Sequence, residues 1–363
     1  MRYRLLMAMV AGAAVIAGVS LAVMYGLRPG SAIAAQSNDG TWKVPRTPWG
    51  APDLTGIWGL GYVFTPLERT NEFAGREFLT EEEVADLEKA QRERGGDGTG
   101  GRARAERGSV GDVDGAYNQA FSQAGQHERV VRTKRTSLVV DPPDGLIPYT
   151  PEGRRRMEAN SARTGDEETQ GADGSVKVAR TSADGPEDRG PDRCIGVVVP
   201  FVKRAGSFHR IVQGPSSVGI FMEDGLKGTA YRVILLDGRP HLPPHFRTWL
   251  GNSVGRWEGE TLVVDTTNFT DKSRFQGSTE KLHLVERFTR LAPDLLKYEV
   301  TLEDSIAYTR PWTMELPLTL ADNRKNQIYE GACHEGNYSM ATILAGARLL
   351  EKKSAVFSRR QPR

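Results

Sequence analysis

Cysteine is scarce in this sequence. The 363 residues include only two, Cys194 and Cys333, which are too few to form a cysteine-based metal site. Outside the cytoplasm two thiols more often pair than stay free, so a Cys194–Cys333 disulfide is predicted for an exported chain. The alternative is two buried free cysteines.

An excess of charge of either sign is also lacking. Lysine and arginine together number 48, against 46 aspartate and glutamate residues. This balance gives no field that would recruit nucleic acid or a membrane surface, and no basic cluster interleaves with aromatic residues. We therefore expect no nucleic-acid partner, and a membrane contact only through a retained amino-terminal anchor.

Several motifs that mark catalytic sites are missing. The sequence has no glycine-rich phosphate loop, no G-x-S-x-G elbow, no H-E-x-x-H and no paired C-x-x-C. Histidine occurs six times, so each histidine can be considered by its own position.

An export signal is present at the amino terminus. Arg2 and Arg4 precede an uncharged run over residues 5–27, and the small residues Ala32-Ile33-Ala34 follow it. That order is typical of a secretory signal peptide, although the run is also long enough to remain as an inner-membrane anchor. Residues 1–35 are therefore assigned to a signal peptide or anchor, and the rest of the chain to the periplasm or the secreted fraction.

The remaining chain has the pattern of a turn-rich β protein. It is rich in proline and glycine, and strands are expected at, among others, Tyr231–Leu236, Phe246–Leu250 and Leu296–Glu303. In the last of these, apolar residues alternate with charged residues such as Lys297 and Glu299, which predicts one buried face and one wet face. Successive strands with short links predict an antiparallel meander that closes as a lipocalin-like barrel or a sandwich.

Two regions of the mature chain are distinguished. Residues 36–193 are predicted to form an amino-terminal extension with the first strands, two short helices and long polar, mobile loops. Thr80 and Glu83 suit a capping box at the start of one helix, and Pro151 suits the first position of the other. Residues 194–350 are predicted to form the main β-barrel, in one structural unit with the preceding part.

A proline-rich loop carries two candidate catalytic histidines. His241 and His245 bracket Pro243 and Pro244, which hold the backbone extended and rigid. Two imidazoles on such a loop suit proton transfer or ligation of a divalent metal. The alternative is a structural loop whose histidines cap strand ends.

Glu286 is a candidate acid or base because it shares a strand face with Leu282, Leu284 and Phe288. An inward carboxylate must be paired or protonated, and such groups are often catalytic. The alternative is an ion pair with Arg232 or Arg247 that only stabilises the sheet. His283 is expected on the opposite face, exposed to solvent.

The segment Ala332–Tyr338 places several reactive side chains beside Cys333. We expect His334 to join His241, His245 and Glu286 in one pocket, and Asn337 and Tyr338 to supply hydrogen bonds to a substrate.

Aromatic residues near the double-histidine loop suggest a stacking platform for a sugar or an aromatic ring. The residues assigned to it are Arg247, Trp249, Trp257 and Trp312. In a β domain such tryptophans are more often part of the core, and that alternative stays open.

Several phrases of the sequence resemble a large, uncharacterised family of exported bacterial proteins. They include Pro52–Trp58 (PDLTGIW), Leu236–His245 (LDGRPHLPPH), Gly255–Phe269 (GRWEGETLVVDTTNF) and Ala332–Tyr338 (ACHEGNY). This resemblance implies export and a β-rich body, and it brings no catalytic residues. Separately, Gly56-Ile57-Trp58 is similar to the Gly-x-Trp signature of lipocalin-type barrels.

Two functions are consistent with these patterns. The first is an exported hydrolase or lyase that acts on a small molecule or glycan, with acid–base chemistry by histidine and glutamate or with help from a divalent metal. The alternative is a lipocalin-like carrier of an apolar or aromatic ligand that performs no reaction. Convergence of the candidate residues in one pocket would favour the enzyme, and an apolar cavity lined by tryptophans would favour the carrier.

Overall fold

The chain folds as a mainly β protein, and nine of its strands close into a mixed barrel in this computed structural model. The strands in chain order are β1 (Gly56–Gly59), β2 (Val139–Asp141), β3 (Thr169–Gln170), β4 (Val176–Lys177), β5 (Ser207–Gln213), β6 (Ser217–Asp224), β7 (Gly228–Leu235), β8 (Asn252–Glu258), β9 (Thr261–Thr267), β10 (His283–Ala292), β11 (Leu295–Glu303) and β12 (Trp312–Leu320). The helices are α1 (Glu81–Gly95) and α2 (Pro151–Thr164). The predicted fold class, a lipocalin-like barrel with two helices, is confirmed.

The structure describes most of the barrel and parts of the amino-terminal extension. The described residues are 42–59, 65–95, 133–164, 169–170, 176–177, 198–202, 207–224, 228–272, 275–321, 345–346, 348–349 and 352. Some predictions lie outside these residues, and they concern the export segment, Cys194, Cys333, His334, Asn337 and Tyr338. Among the helices of the described part, none is long and apolar enough to cross a membrane.

One junction of the barrel departs from the predicted antiparallel meander. Neighbouring strands run antiparallel around the described barrel except β7 and β8, which run parallel where Leu235 lies opposite Val254. The strand expected over Phe246–Leu250 is wrong, since these residues belong to a turn-rich connection whose Thr248 forms an isolated bridge with Phe269, just after β9. Because one expected strand is missing from the meander, β7 and β8 become neighbours with the same direction.

Side chains close this junction where backbone pairing is sparse. Ile234 and Leu236 pack directly onto the backbone of β8, because Gly255 has no side chain to hold them away. A Cβ atom placed on Gly255 would lie 2.6 Å from Cγ2 of Ile234 and 2.9 Å from Cδ2 of Leu236. The parallel junction therefore depends on apolar contact more than on a hydrogen-bonded ladder.

The amino-terminal part completes the barrel wall. β1 and β2 share one edge of β12, with Trp58 opposite Leu320 and Asp141 opposite Thr313. β1 also pairs with β5 along its length, which closes the ring. The predicted start of α1 is confirmed, because the Thr80 amide donates to Glu83 Oε2 (2.7 Å) and the Glu83 amide donates to Thr80 Oγ1 (3.2 Å).

The barrel interior holds a dense aromatic and aliphatic core. Its largest fully buried side chains include Trp58, Phe288, Tyr298 and Trp312. Trp58 satisfies its indole by donating from Nε1 to the Leu54 carbonyl (2.8 Å). Alternation along β10 and β11 sends Phe288 and Tyr298 inward and their neighbours outward, as the period of two predicts.

The outward face of β11 is drier than its sequence predicts. Lys297 and Glu299 were expected to face water, but their side chains are only 16% and 13% exposed. Glu315 of β12 lies directly opposite Glu299, and its backbone amide donates to the carbonyl of Leu138 in the segment before β2. This amino-terminal segment therefore shields an outer surface that the alternation alone marks as wet.

A substitution at Gly255 tests the packing at the parallel junction. Gly255→Ala should lower the free energy of unfolding by about 1–3 kcal/mol, because the new methyl group collides with Ile234 and Leu236. The matched control is Gly219→Ala on β6, where the nearest atom to an added Cβ lies 3.9 Å away, and stability should stay equal or rise by up to about 1 kcal/mol. Urea unfolding of both variants provides the comparison, and equal effects would rule out close packing at this junction.

Candidate functional site

The structure separates the predicted catalytic residues onto two faces of the barrel wall. Glu286 is fully buried and points into the barrel, paired with Val264 across β9 and β10. Asp265 is the next residue along β9 and faces outward, where its carboxylate contacts His241. A single pocket containing both His241 and Glu286 is therefore wrong, because one lies outside the wall and the other inside it.

Inside the barrel, Glu286 forms an ion pair with Arg232. Arg232 donates from Nη2 to Glu286 Oε1 (2.6 Å) and from Nη1 to Oε2 (2.7 Å), and the Tyr298 hydroxyl donates to Oε1 (2.7 Å). This is the structural alternative that the sequence left open for Glu286. Ser253 and Thr266 complete the surroundings, with Ser253 Oγ 3.4 Å from Arg232 Nη1 and 3.0 Å from Thr266 Oγ1.

Electrostatics hold Arg232 of this interior pair in its charged form. Burial opposes the charge on Arg232, but the Glu286 carboxylate outweighs that effect and raises the pKa of Arg232. Burial, together with the charge of Glu286, raises the pKa of Tyr298 well above its usual value, so the hydroxyl keeps its proton. Burial and the charge of Arg232 lower the pKa of His209 to about 4, so this buried ring is neutral at neutral pH. Both oxygens of Glu286 are occupied, which favours a structural role over proton transfer.

Outside the barrel, His241, Asp265 and His283 form a compact cluster. His241 Nε2 lies 2.9 Å from Asp265 Oδ1, and His283 Nε2 lies 3.1 Å from the same oxygen. The side chains are 26%, 30% and 34% exposed, so each is half-buried and still reachable from solvent. Two imidazoles from separate segments thus converge on one carboxylate oxygen.

Two asparagines fix the loop that carries His241. Asn252 Oδ1 accepts from the Leu242 amide (2.9 Å) and lies 3.1 Å from His241 Nδ1. Asn268 Nδ2 donates to the carbonyls of Leu242 (2.8 Å) and Pro243 (3.2 Å). Asn268 has φ 61°, in the left-handed region that asparagine tolerates better than most residues. The loop is therefore held by side-chain hydrogen bonds as well as by its prolines.

The charges of the cluster support one another. Burial favours the neutral form of Asp265, but the hydrogen bonds and charges of His283 and His241 outweigh it and lower the pKa of Asp265. The hydrogen bond to Asp265 outweighs burial and raises the pKa of His283, with a further contribution from the charge of Glu303. Asp265 is thus an anion near neutral pH, and His283 titrates above its usual range.

The other candidates on this loop are positioned away from the cluster. His245 is exposed and contacts Phe246, with ring centroids 4.2 Å apart. Arg247 Nη1 donates to the carbonyls of Phe269 (3.0 Å) and Glu280 (2.7 Å), which anchors the loop. Arg247 therefore has a structural role in the described part of the chain.

Two of the three tryptophans assigned to the stacking platform belong to the core or its border. Trp312 is fully buried in the core, and Trp257 packs against that core from a half-buried position. Both follow the core alternative, because the interior of a closed barrel needs large apolar side chains. Trp249 is half-buried at the end of the connection before β8, and its contact with a substrate stays a prediction.

Sequence reasoning missed Asp265 and underestimated His283. The face of His283 was predicted correctly, but the ring is half-buried by its contact with Asp265 and not simply exposed. The available signal was the outward position of Asp265 on a strongly predicted strand. Its partner strand could not be known from one sequence, since β9–β10 pairing at Val285 and Asp265 is what brings His283 close.

Among the described residues, no group of three or more histidine, cysteine, aspartate or glutamate side chains has the arrangement of a metal site. No family model, curated protein or solved structure matches this chain. The chemistry of the cluster therefore has to be argued from its own geometry.

A substitution at Glu286 tests the structural role of the interior pair. Glu286→Gln should lower the free energy of unfolding by about 3–5 kcal/mol, because Arg232 would remain charged and buried without a counter-ion. Glu258→Gln is the matched control, since Glu258 pairs with Arg287 at the surface, and it should cost less than about 1 kcal/mol. Both changes are compared by chemical denaturation.

The double variant Arg232→Met, Glu286→Leu removes both charges and should recover most of the lost stability. An unchanged stability of Glu286→Gln, or a double variant as unstable as the single one, would contradict a structural ion pair.

Proposed function

We propose that this chain is an exported hydrolase or lyase that acts on a small molecule or glycan by acid–base chemistry at His241, Asp265 and His283. The observation that carries the proposal is the convergence of two imidazoles on one carboxylate oxygen, at 2.9 and 3.1 Å. Imidazole is the side chain best suited to proton transfer near neutral pH, and a carboxylate fixes its orientation and favours its charged form.

The location of the cluster supports contact with a substrate. The three side chains lie on the outer wall of the barrel and keep between a quarter and a third of their surface exposed. A purely structural cluster of this kind would usually be buried further, because exposed ion pairs contribute little to stability. The asparagine-held loop supplies the rigid support that positioned catalytic groups need.

The carrier alternative has less support among the described residues. A lipocalin-like carrier needs space inside the barrel, whereas the inward side chains pack around the Arg232–Glu286 pair. The tryptophans expected to line an apolar cavity belong to this packed core or its border.

Export and the disulfide are part of the same proposal. The charged start, the apolar run over 5–27 and Ala32-Ile33-Ala34 support a signal peptide or anchor and a periplasmic or secreted chain. An oxidising compartment supports a Cys194–Cys333 disulfide. Cell fractionation with amino-terminal sequencing tests export, which a cytoplasmic chain with an intact Met1 would refute. Peptide mapping without reductant tests the disulfide, which two alkylated thiols would refute.

A substitution at Asp265 tests the enzymatic proposal. The purified protein is incubated with a panel of metabolites and glycans, and products are detected by mass spectrometry. Asp265→Asn should lower turnover by about 10²–10⁴-fold, because both imidazoles lose the charge that orients them. Asp237→Asn is the matched control, since this carboxylate pairs with Arg239 on the exposed part of the loop, and the turnover of this variant should be unchanged.

Full turnover in Asp265→Asn would overturn the site. A wild-type protein that binds a panel member without converting it would instead favour the carrier, and one that leaves the whole panel unchanged would count against the enzyme.

A further inference from the structure

We propose that His283 exchanges the proton with the substrate through its Nδ1 atom, and that His241 is a positioning residue that holds Asp265 in place. This assignment rests on the proposed function. It divides the roles of two histidines that share one carboxylate oxygen, and it indicates the kind of substrate that the site accepts.

His241 has both ring nitrogens engaged. Asn252 Oδ1 accepts from the Leu242 amide (2.9 Å), which identifies this atom as the amide oxygen, so His241 Nδ1 must donate to it (3.1 Å). His241 Nε2 faces a second acceptor, Asp265 Oδ1, at 2.9 Å. Both nitrogens of His241 therefore face protein acceptors, so neither is directed towards a substrate.

His283 is engaged at one nitrogen. Its Nε2 lies 3.1 Å from Asp265 Oδ1, so the Nε2 proton is directed to the carboxylate. Its Nδ1 lies 3.7 Å from Glu303 Oε2, which allows attraction but exceeds hydrogen-bond length. The Glu303 side chain beside Nδ1 is 60% exposed, whereas the Asp265 side chain beside Nε2 is 30% exposed. A carboxylate bound to one nitrogen of an imidazole leaves the other nitrogen to act as base and then as acid.

The surrounding charges indicate the substrate class. The groups that face His283 are the carboxylates of Asp265 from β9 and Glu303 from β11, and the His241 ring from the loop lies on the same Asp265 oxygen. Two carboxylates beside one imidazole disfavour phosphate or carboxylate groups of a substrate near Nδ1. The site therefore fits an uncharged or cationic substrate, such as a neutral glycan.

The proton balance is the same for both reaction classes. In hydrolysis, Nδ1 takes a proton from water while the water oxygen bonds to the electrophilic carbon. The bond from that carbon to the leaving oxygen breaks, its electron pair stays on the oxygen, and the ring gives the proton to this oxygen. In elimination, Nδ1 takes a proton from carbon and the C–H electron pair forms the double bond, while the bond from the neighbouring carbon to the leaving oxygen breaks. That oxygen keeps the electron pair and receives the proton from the ring. His283 ends neutral in both cases, and no other reactant is needed.

Histidine labelling with diethyl pyrocarbonate tests the assignment without a substrate, because this reagent reacts with a free imidazole lone pair. Rates are measured for each histidine by peptide mass spectrometry over a range of pH. The exposed His245 serves as the reactive reference, and the buried His209 serves as the protected one. His283 should react at a rate close to that of His245 once it is deprotonated, and His241 should react at least about tenfold more slowly.

The positioning role of His241 has its own readout. His241→Gln removes the ring that shares Asp265 Oδ1 with His283, so the hydrogen bond from His283 should strengthen and the midpoint of His283 labelling should move to higher pH. Asp265→Asn should move that midpoint to lower pH. The assignment would be overturned if His241 reacted as fast as His283, or if His283 were as protected as His209. It would also be overturned if the midpoint of His283 labelling stayed the same in both variants. If labelling follows the prediction but the protein shows no turnover, the enzymatic proposal is refuted and the labelling assignment stands. Turnover that is lost in His241→Gln and kept in His283→Gln would overturn the division of roles alone.

Discussion

The buried pair of Arg232 and Glu286 is the interaction on which the barrel depends most. It links β7 to β10 across the interior, beside the parallel β7–β8 junction where backbone pairing is sparse. A charge removed from water into such a core is tolerated only when a partner and further hydrogen bonds compensate it, and Tyr298 supplies one of these. The pair therefore specifies which strands face each other, in a ring where apolar packing alone would permit several registers.

The same register creates the outer site. Successive residues of a strand point to opposite faces, so a ladder that places Glu286 opposite Val264 must also present Asp265 and His283 on the outside. A slip of one residue between β9 and β10 would exchange these faces and destroy the interior pair and the outer cluster together. The stability of the core and the geometry of the proposed site are in this way two results of one strand pairing. The connection between β7 and β8 then adds His241 from outside the ladder, held by Asn252 and Asn268.

Much of this architecture could be predicted from sequence, but less of the site. Alternation predicted β9 to β12 and the inward position of Glu286, and the capping box predicted the start of α1, since both are local patterns. The strand expected over Phe246–Leu250 failed because aromatic residues also suit a loop fixed by tertiary hydrogen bonds. The face of Glu286 was predicted correctly. Its ion-pair partner was predicted only as Arg232 or Arg247, because ion-pair partners depend on strand pairing that one sequence does not reveal. Asp265 was missed for the same reason, since its importance comes from His241 and His283, which lie 24 and 18 residues away along the chain.

The central claim is that the barrel encloses a neutral buried histidine, His209 of β5, while the pairing of β9 with β10 places a carboxylate-bound, titrating histidine, His283, outside it. The most direct measurement is a histidine-resolved NMR titration of the wild-type protein and of Asp265→Asn. The account predicts that His209 has a pKa of about 4 in both proteins, so that its ring is neutral at neutral pH. It also predicts that His283 titrates above 6.5 in the wild type and returns towards that value in Asp265→Asn. A His283 pKa at or below 6.5, or one that is unchanged when Asp265 is replaced, would contradict it.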